Sequence, residues 1–202
     1  VANIGTTSLY NGRSCGLYYG NQPCVKFDTS IMTAPFAVSK YTNRDKTTHS
    51  LTLAFDGYET NENLKTMKYM IESLDDMMIE LAIKHAVVWF KKPLSREVIM
   101  KMYKPILKPP NNPKYAPTIR VKLKQIENQI TTNVTFVNKN GIDTPFDILE
   151  LTPGAPVKCF IKLSNVWVMN DTFGVSLEAD NAFVHEHKVK APRTFSFVED
   201  EF

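Results

Sequence analysis

The sequence predicts a mainly β protein of the α+β class, built as a small β-barrel with a long helix inserted between its strands. Three observations support this fold. Several segments alternate apolar and polar residues, as strands with one buried face do. One segment repeats apolar residues at spacings of three and four, which is typical of an amphipathic helix. One long strand changes the side of its apolar residues partway along, and strands that bend so strongly are typical of small barrels.

The chain has 202 residues, enough for one domain with additions. We predict an N-terminal arm over residues 1–30, which are rich in glycine and tyrosine. The barrel is predicted over residues 31–190, with inserted helices over residues 62–104. An acidic C-terminal tail is predicted over residues 191–202. No apolar run is long enough to span a bilayer, so no membrane association is expected.

The first strands and helices follow from local patterns. "TAPFAVSKYT" and "HSLTLAFDGY" both alternate and predict two strands. Asn61 is a suitable N-cap for the helix that follows, whose apolar stripe begins at Leu64. We expect this helix to continue to about Phe90, since Pro93 ends it. Ser95 is predicted to cap a second, short helix.

The second half of the chain is predicted to be strands. A proline-rich connector, "KPILKPPNNPKYAP", leads to the strand "TIRVKLKQI", and "NVTFV" is the next strand. The long strand in "KCFIKLSNVWVMNDTFGVSLEAD" has inward apolar residues up to Leu163 and again from Val166. The alternation therefore changes side near Ser164 and Asn165, which predicts a bulge there.

The charge of the chain is unevenly distributed. The net charge is +3, but residues 84–124 contain eleven Lys or Arg and only one acid, Glu97. This stretch carries +10 and the remainder carries −7. A basic binding face on a soluble protein and a solvated lysine-rich surface are both consistent with this pattern.

The sequence offers little catalytic machinery. It contains no glycine-rich phosphate loop, no zincin pair and no nucleophile elbow, so we predict a non-enzymatic protein without a cofactor. His185 and His187 are only two candidate ligands, so no metal site is predicted. A Cys15 thiol acting with His49 or His85 is a weaker alternative. Three sparse cysteines indicate a reducing compartment.

The outward faces of the predicted barrel strands suggest contacts with single-stranded nucleic acid. Arg120, Lys122 and Lys124 alternate with apolar residues on one strand, and Lys158, Phe160 and Lys162 do so on another. Lysines that follow a phosphate backbone and aromatic rings on which bases stack are what sequence-independent binding requires. Trp167 lies past the bend, so the alternation does not assign its side. The remaining candidates are Lys91, Lys92, Lys114 and Tyr115.

The segments "YAPTIRVKLK" and "LTPGAPVKCFIKLSNVWVMNDTFGVSLEA" resemble the barrel strands of OB-fold (oligonucleotide-binding) single-stranded-DNA-binding proteins of nucleocytoplasmic large DNA viruses. This resemblance implies a protein that coats unwound DNA during viral replication and recombination. It also implies an intracellular location, in the host cytoplasm or nucleus at sites of viral replication. Contacts with replication enzymes are implied as well.

The terminal "FVEDEF" is similar to the acidic, phenylalanine-ended tails of phage and bacterial counterparts. The carboxylates of Glu199, Asp200 and Glu201 resemble phosphates, and Phe202 can imitate a base. We therefore expect the tail to compete with nucleic acid for the basic face and, once DNA displaces it, to be free for a polymerase or another partner. A frayed, solvated terminus is the alternative.

An alternative hypothesis for the function of the chain is a structural role. A virion or scaffold protein would use the barrel for protein–protein contacts, with the basic stretch as an incidental surface. The sequence does not distinguish DNA from RNA as the ligand, nor a monomer from a homo-oligomer. Salt-dependent binding to oligo-dT separates nucleic-acid binding from the scaffold role.

Overall fold

A computed structural model describes residues 4–6, 14–19, 24–141, 143–169 and 171–187. Its strands are β1 (Ile4–Thr6), β2 (Ser14–Cys15), β3 (Leu17–Tyr19), β4 (Val25–Asp28), β5 (Met32–Ala34), β6 (Ser39–Asn43), β7 (Lys46–Ala54), β8 (Tyr103–Lys104), β9 (Thr118–Leu123), β10 (Gln125–Ile126), β11 (Gln129–Ile130), β12 (Asn133–Val137), β13 (Asp143–Pro145), β14 (Ala155–Met169) and β15 (Thr172–His185). Its helices are α1 (Glu62–Lys84), α2 (Ala86–Phe90) and α3 (Arg96–Met102), with a short 3₁₀ turn at Ile148–Glu150.

Five strands close into a barrel. β5 pairs with β7, β7 with β9, and β9 runs parallel to β15, while β14 pairs antiparallel with both β15 and β5. Taken in chain order as first to fifth, these strands follow each other around the barrel as first, second, third, fifth and fourth. A five-stranded barrel with this connectivity is the OB arrangement, so the predicted fold class is confirmed.

The bend in β14 lies where the alternation predicts it. The register against β15 shifts between Leu163 and Asn165. Leu163 and Val166 are both fully buried on either side of the shift. The extra residue bends the strand around the barrel, so the polar side chains before and after the bulge all point outward. The predicted bulge at Ser164 and Asn165 is confirmed.

The helices lie between the second and third barrel strands, as the sequence predicts. The Asn61 side chain caps α1 by accepting hydrogen bonds from the backbone N–H groups of Asn63 and Leu64. The prediction of one continuous helix to Phe90 is wrong, because His85, at φ −107° and ψ 14°, leaves the helical region and separates α1 from α2. No glycine or proline marks that break in the sequence.

One hydrophobic cluster joins the helices to the barrel. The buried stripe of α1 and the interior residues of the barrel strands belong to the same cluster. Two described segments of the predicted N-terminal arm, β2 and β4, pair with β14 and extend its sheet. Within the part of the chain that the structure describes, no helix has the length and apolar character needed to cross a bilayer.

Candidate nucleic-acid interface

The candidate site lies on the outer surface of the barrel, where β9, β15 and β14 run side by side. Lys122 on β9 pairs with Glu178 on β15, which pairs with Lys162 on β14. Residues that face each other across paired strands project from the same side of the sheet. The three side chains therefore form one row across the outside of the barrel.

A cleft of about 890 Å³ opens at one end of this row. It is lined by Trp167 of β14 and by Lys122 of β9. Phe90, the last residue of α2, also lines it, as do Lys91 and Lys92, which follow that helix. Distant segments of the chain thus bring four of the predicted contacts to one cavity, which we call the Trp167 cleft.

Lys91 has a left-handed backbone conformation, which ends α2 next to the Trp167 cleft. Its φ of 62° and ψ of 13° lie in the left-handed region and end α2 directly before the cleft. A residue other than glycine pays a steric cost in that region. Such local strain is common at functional sites, where it fixes the position of a side chain.

Lys122 is a partly desolvated cation without an ion-pair partner among the described residues. Its ammonium donates a hydrogen bond to the Ser176 hydroxyl at 2.9 Å. Burial lowers the pKa of Lys122; Glu178 opposes this shift, and Lys46 and Arg120 add smaller effects that lower the pKa. Desolvation disfavours the charged ammonium, and a bound anion would offset that cost.

The Trp167 cleft continues into a longer groove. A cavity of about 510 Å³ shares Lys122 and Asn165 with the cleft, and a third, of about 620 Å³, shares Ser164 with the second. The third cavity is lined by Lys124 and Lys162, among others. We call this continuous surface the outer groove.

Acidic side chains neutralise several of the predicted contacts on β14. The Lys162 ammonium lies 2.8 Å from a Glu178 carboxylate oxygen and 3.8 Å from one of Asp180. Lys158 lies 2.9 Å from Asp28. A lysine already paired with a carboxylate gains less from a phosphate than an unpaired one. Among the described residues, Lys91, Lys92 and Lys122 of the Trp167 cleft have no such carboxylate partner.

Phe160 points outward, as the alternation predicts, and is 41% exposed. Its ring meets the Phe183 ring edge-on at 5.7 Å, and the Lys158 ammonium lies 5.5 Å from its centroid. Phe160 is roughly 20 Å from Trp167 along β14, at ~3.3 Å per residue. The two rings therefore occupy opposite ends of the outer face of this strand.

The other predicted contacts are more scattered. Arg120 is exposed on β9, where its Nε donates to the Ser50 hydroxyl at 2.8 Å. Lys114 and Tyr115 line a separate cavity beside the proline-rich connector and not the outer groove. The tail contacts Glu199, Asp200, Glu201 and Phe202 lie outside the described residues.

Sequence reasoning missed several residues of the groove. Lys46 belongs to the second cavity and acts electrostatically on Lys122. Asn165 and Ser176 face each other across β14 and β15 at the bulge and line the Trp167 cleft. The alternation after the bulge places Asn165 on the outer face of β14, so the sequence could have identified it. No local pattern identifies Lys46, because its proximity to Lys122 depends on the pairing of β7 with β9.

The thiols are poorly suited to nucleophilic chemistry. Burial raises the pKa of Cys15 to about 11 and that of Cys159 to about 12, so both remain protonated at neutral pH. All three cysteines are free. Within the described residues, no three His, Cys, Asp or Glu side chains are grouped so that they could hold a metal ion.

Comparison with known proteins gives structural likeness only. No family model and no curated protein matches the chain. The single-stranded DNA-binding protein encoded by bacteriophage T7 is 13% identical, with a TM-score of 0.49 over 85% of this chain and 98% of that one. The single-stranded DNA-binding protein of bacteriophage Enc34, in complex with single-stranded DNA, is 14% identical, with a TM-score of 0.48 over 95% of this chain and 100% of that one. A C-terminally truncated form of the Enc34 protein is 14% identical, with a TM-score of 0.48 over 94% and 98% of the two chains.

Proposed function

We propose that this protein binds single-stranded DNA without sequence specificity, as a non-catalytic coating protein, and that the outer groove is the binding surface. One observation carries the proposal: Trp167 lines a single cleft with Lys91, Lys92 and Lys122, three cations that have no ion-pair partner within the described part of the chain. The second and third barrel strands and the loop between the fourth and fifth are where OB barrels bind oligonucleotides. The cleft lies at that position, next to β9 and the turn that joins β14 to β15.

The chemistry of the cleft matches a single strand better than a duplex. A phosphate at Lys122 would supply a counter-charge to a partly desolvated ammonium and would release counterions from the DNA. The Trp167 indole offers a face on which an unpaired base can stack, and every base has such a face. Binding of this kind depends on salt and tolerates any sequence.

The role we propose for this binding is the coating of unwound DNA during viral replication and recombination, at intracellular sites. The resemblance of the barrel strands to proteins of large DNA viruses supports this role. In the same proposal the terminal residues Glu199, Asp200, Glu201 and Phe202 recruit replication enzymes. The proposal does not include binding to RNA or the number of subunits, which are measured separately.

Titration with fluorescent oligo-dT at several salt concentrations tests the proposal. We expect binding at low ionic strength and a steep, linear fall of log K with log salt, because counterion release dominates. Single-stranded RNA and a duplex of equal length are the comparison ligands. Absence of oligo-dT binding at low ionic strength, or affinity that does not change with salt, would contradict the proposed function.

Lys122 and Lys162 form a matched pair for testing which lysines meet phosphates. They lie on the same cross-strand row on either side of Glu178. Lys122→Ala is expected to reduce the slope of log K against log salt by about one, because one phosphate contact is lost. Lys162→Ala is expected to change that slope much less, since Glu178 already neutralises its ammonium. Equal reductions in both variants would show that DNA breaks the Lys162–Glu178 pair and that the unpaired lysines are not favoured.

A further inference from the structure

We propose that Gly174 is a positioning residue that sets the plane of the Trp167 ring in the Trp167 cleft, so that the ring can stack on a base. This inference rests on the proposed function. Gly174 lies in β15, directly opposite Trp167 of β14. Its other neighbour across the sheet is Lys104 of the short strand β8.

The absence of a side chain at Gly174 is what makes room for the indole. A Cβ atom built on Gly174 would lie 2.6 Å from Trp167 Cζ2 and 3.1 Å from Cε2. Both are shorter than ordinary van der Waals contacts between carbon atoms, which lie near 3.5–4.0 Å. The indole therefore lies directly against the backbone of Gly174, and alanine at this position would have to push the ring outward.

The backbone conformation of Gly174 does not account for the glycine. The glycines with positive φ among the described residues are Gly57, Gly141 and Gly154, and Gly174 is not one of them. Glycine inside a strand is unfavourable relative to alanine, and it often marks a close approach by another group. The group that approaches here is an aromatic ring of the proposed binding surface.

The close approach at Gly174 restricts the positions open to the Trp167 ring on the β15 side. On the other side of β14, the strand partner of Trp167 is Ser14 of β2, which also lines the cleft. A ring restricted in this way loses less side-chain entropy when a base stacks on it. A ring tilted by a methyl group at position 174 would present its edge and part of its face.

A double-mutant cycle on oligo-dT affinity tests the inference. The four proteins are the wild type, Gly174→Ala, Trp167→Ala and the double variant. We expect Gly174→Ala to weaken binding by about five-fold or more in the wild-type background, since one stacked base contributes about five- to one-hundred-fold. In the Trp167→Ala background the same change should alter affinity by less than about two-fold, because the ring it displaces is gone.

A second measurement follows the ring without DNA. The two indole N–H resonances of the protein belong to Trp89 and Trp167, and the Trp167→Ala variant identifies them. Gly174→Ala should shift the Trp167 resonance more than that of Trp89, which lines the same cleft but is not in contact with the added methyl group. If the single variant does not fold, the double variant should, since removal of the indole makes room for the methyl group.

Each outcome distinguishes the inference from the function on which it rests. Equal losses of affinity in both backgrounds, or an unmoved Trp167 resonance, would overturn the positioning role while wild-type binding to oligo-dT stands. Failure of both the single and the double variant to fold would also overturn it, because the Lys104 carbonyl, 3.1 Å from the added Cβ, would then be the critical contact. If the wild-type protein does not bind oligo-dT, both the proposed function and the positioning role of Gly174 are wrong.

Discussion

Trp167→Ala is expected to weaken binding of oligo-dT by about 5- to 100-fold, with only a small change in the salt slope. Loss of one stacked base costs ~1–3 kcal/mol, which gives that range of affinity at 25 °C. The salt slope depends on phosphate contacts, which Trp167 does not make. Titrations at several salt concentrations measure affinity and slope together.

Phe160 and Tyr115 are the comparison rings for this experiment. The sequence predicts all three rings as contacts, but of the three only Trp167 lines the Trp167 cleft, beside Lys91, Lys92 and Lys122. Tyr115 is 72% exposed within the proline-rich connector and lines a separate cavity, so Tyr115→Ala is expected to change the affinity less than Trp167→Ala. Phe160→Ala is expected to weaken binding if the bound strand extends along the full outer face of β14. Wild-type affinity in Trp167→Ala would mean that the cleft is not the stacking site.

Local patterns in the sequence were sufficient for β7, β9, β12, the helix cap and the bend of β14. Each depends on neighbouring residues: alternation along a strand, an asparagine before an apolar stripe, a change of side at Ser164 and Asn165. The prediction of one strand over "TAPFAVSKYT" is wrong, because residues 35–38 separate β5 from β6 and Phe36 is 61% exposed. The barrel itself is non-local, because its closure requires the parallel pairing of β9 with β15. Only the general tendency of bent strands to form barrels indicated it.

The sequence predicted which lysines of β14 face outward, but it did not predict which of them are paired with carboxylates. The outward lysines of β14 were identified by alternation, yet their carboxylate partners were not. Asp28 reaches Lys158 because β4 pairs with β14, and Glu178 reaches Lys162 because of the register with β15. The sequence does not reveal the register between paired strands, so it does not show which lysines lie opposite a carboxylate. The same limit hid the cleft, since Lys91 and Trp167 meet only through tertiary packing.

Removal of the Asp75 carboxylate is expected to have a large effect on the stability of the fold. This carboxylate on α1 accepts hydrogen bonds from the Tyr103 hydroxyl at 2.6 Å and from the backbone N–H groups of Ile106 and Leu107 at 2.8 and 3.2 Å. It thereby ties the segment after α3, including β8, to the long helix. β8 pairs with β15 next to Gly174, so this contact also supports one wall of the Trp167 cleft.

The behaviour of Asp75 with pH follows from its burial. Burial raises the pKa of Asp75 more than the hydrogen bonds from Tyr103, Ile106 and Leu107 lower it. The folded protein therefore binds this proton more tightly than the unfolded chain does. The contribution to stability is present in acid and is lost as pH rises from the ordinary value near 3.8 through the raised folded value. Asp75→Asn does not titrate, so its stability relative to wild type should improve as pH rises through that window.

Asp75→Ala is expected to lower the free energy of unfolding by about 2–3 kcal/mol, because three donors lose their acceptor in a largely buried position. Asp76→Ala is the matched control: Asp76 follows on the same helix and makes no hydrogen bond among the described residues, so a change within about 0.5 kcal/mol is expected. Urea denaturation monitored by circular dichroism measures both. Similar losses in the two variants would show that helix charge, and not the anchoring of residues 103–107, sets the effect. An intact Asp75→Ala protein should also bind oligo-dT more weakly than Asp76→Ala does, since β8 then no longer holds β15 and the Trp167 cleft in place.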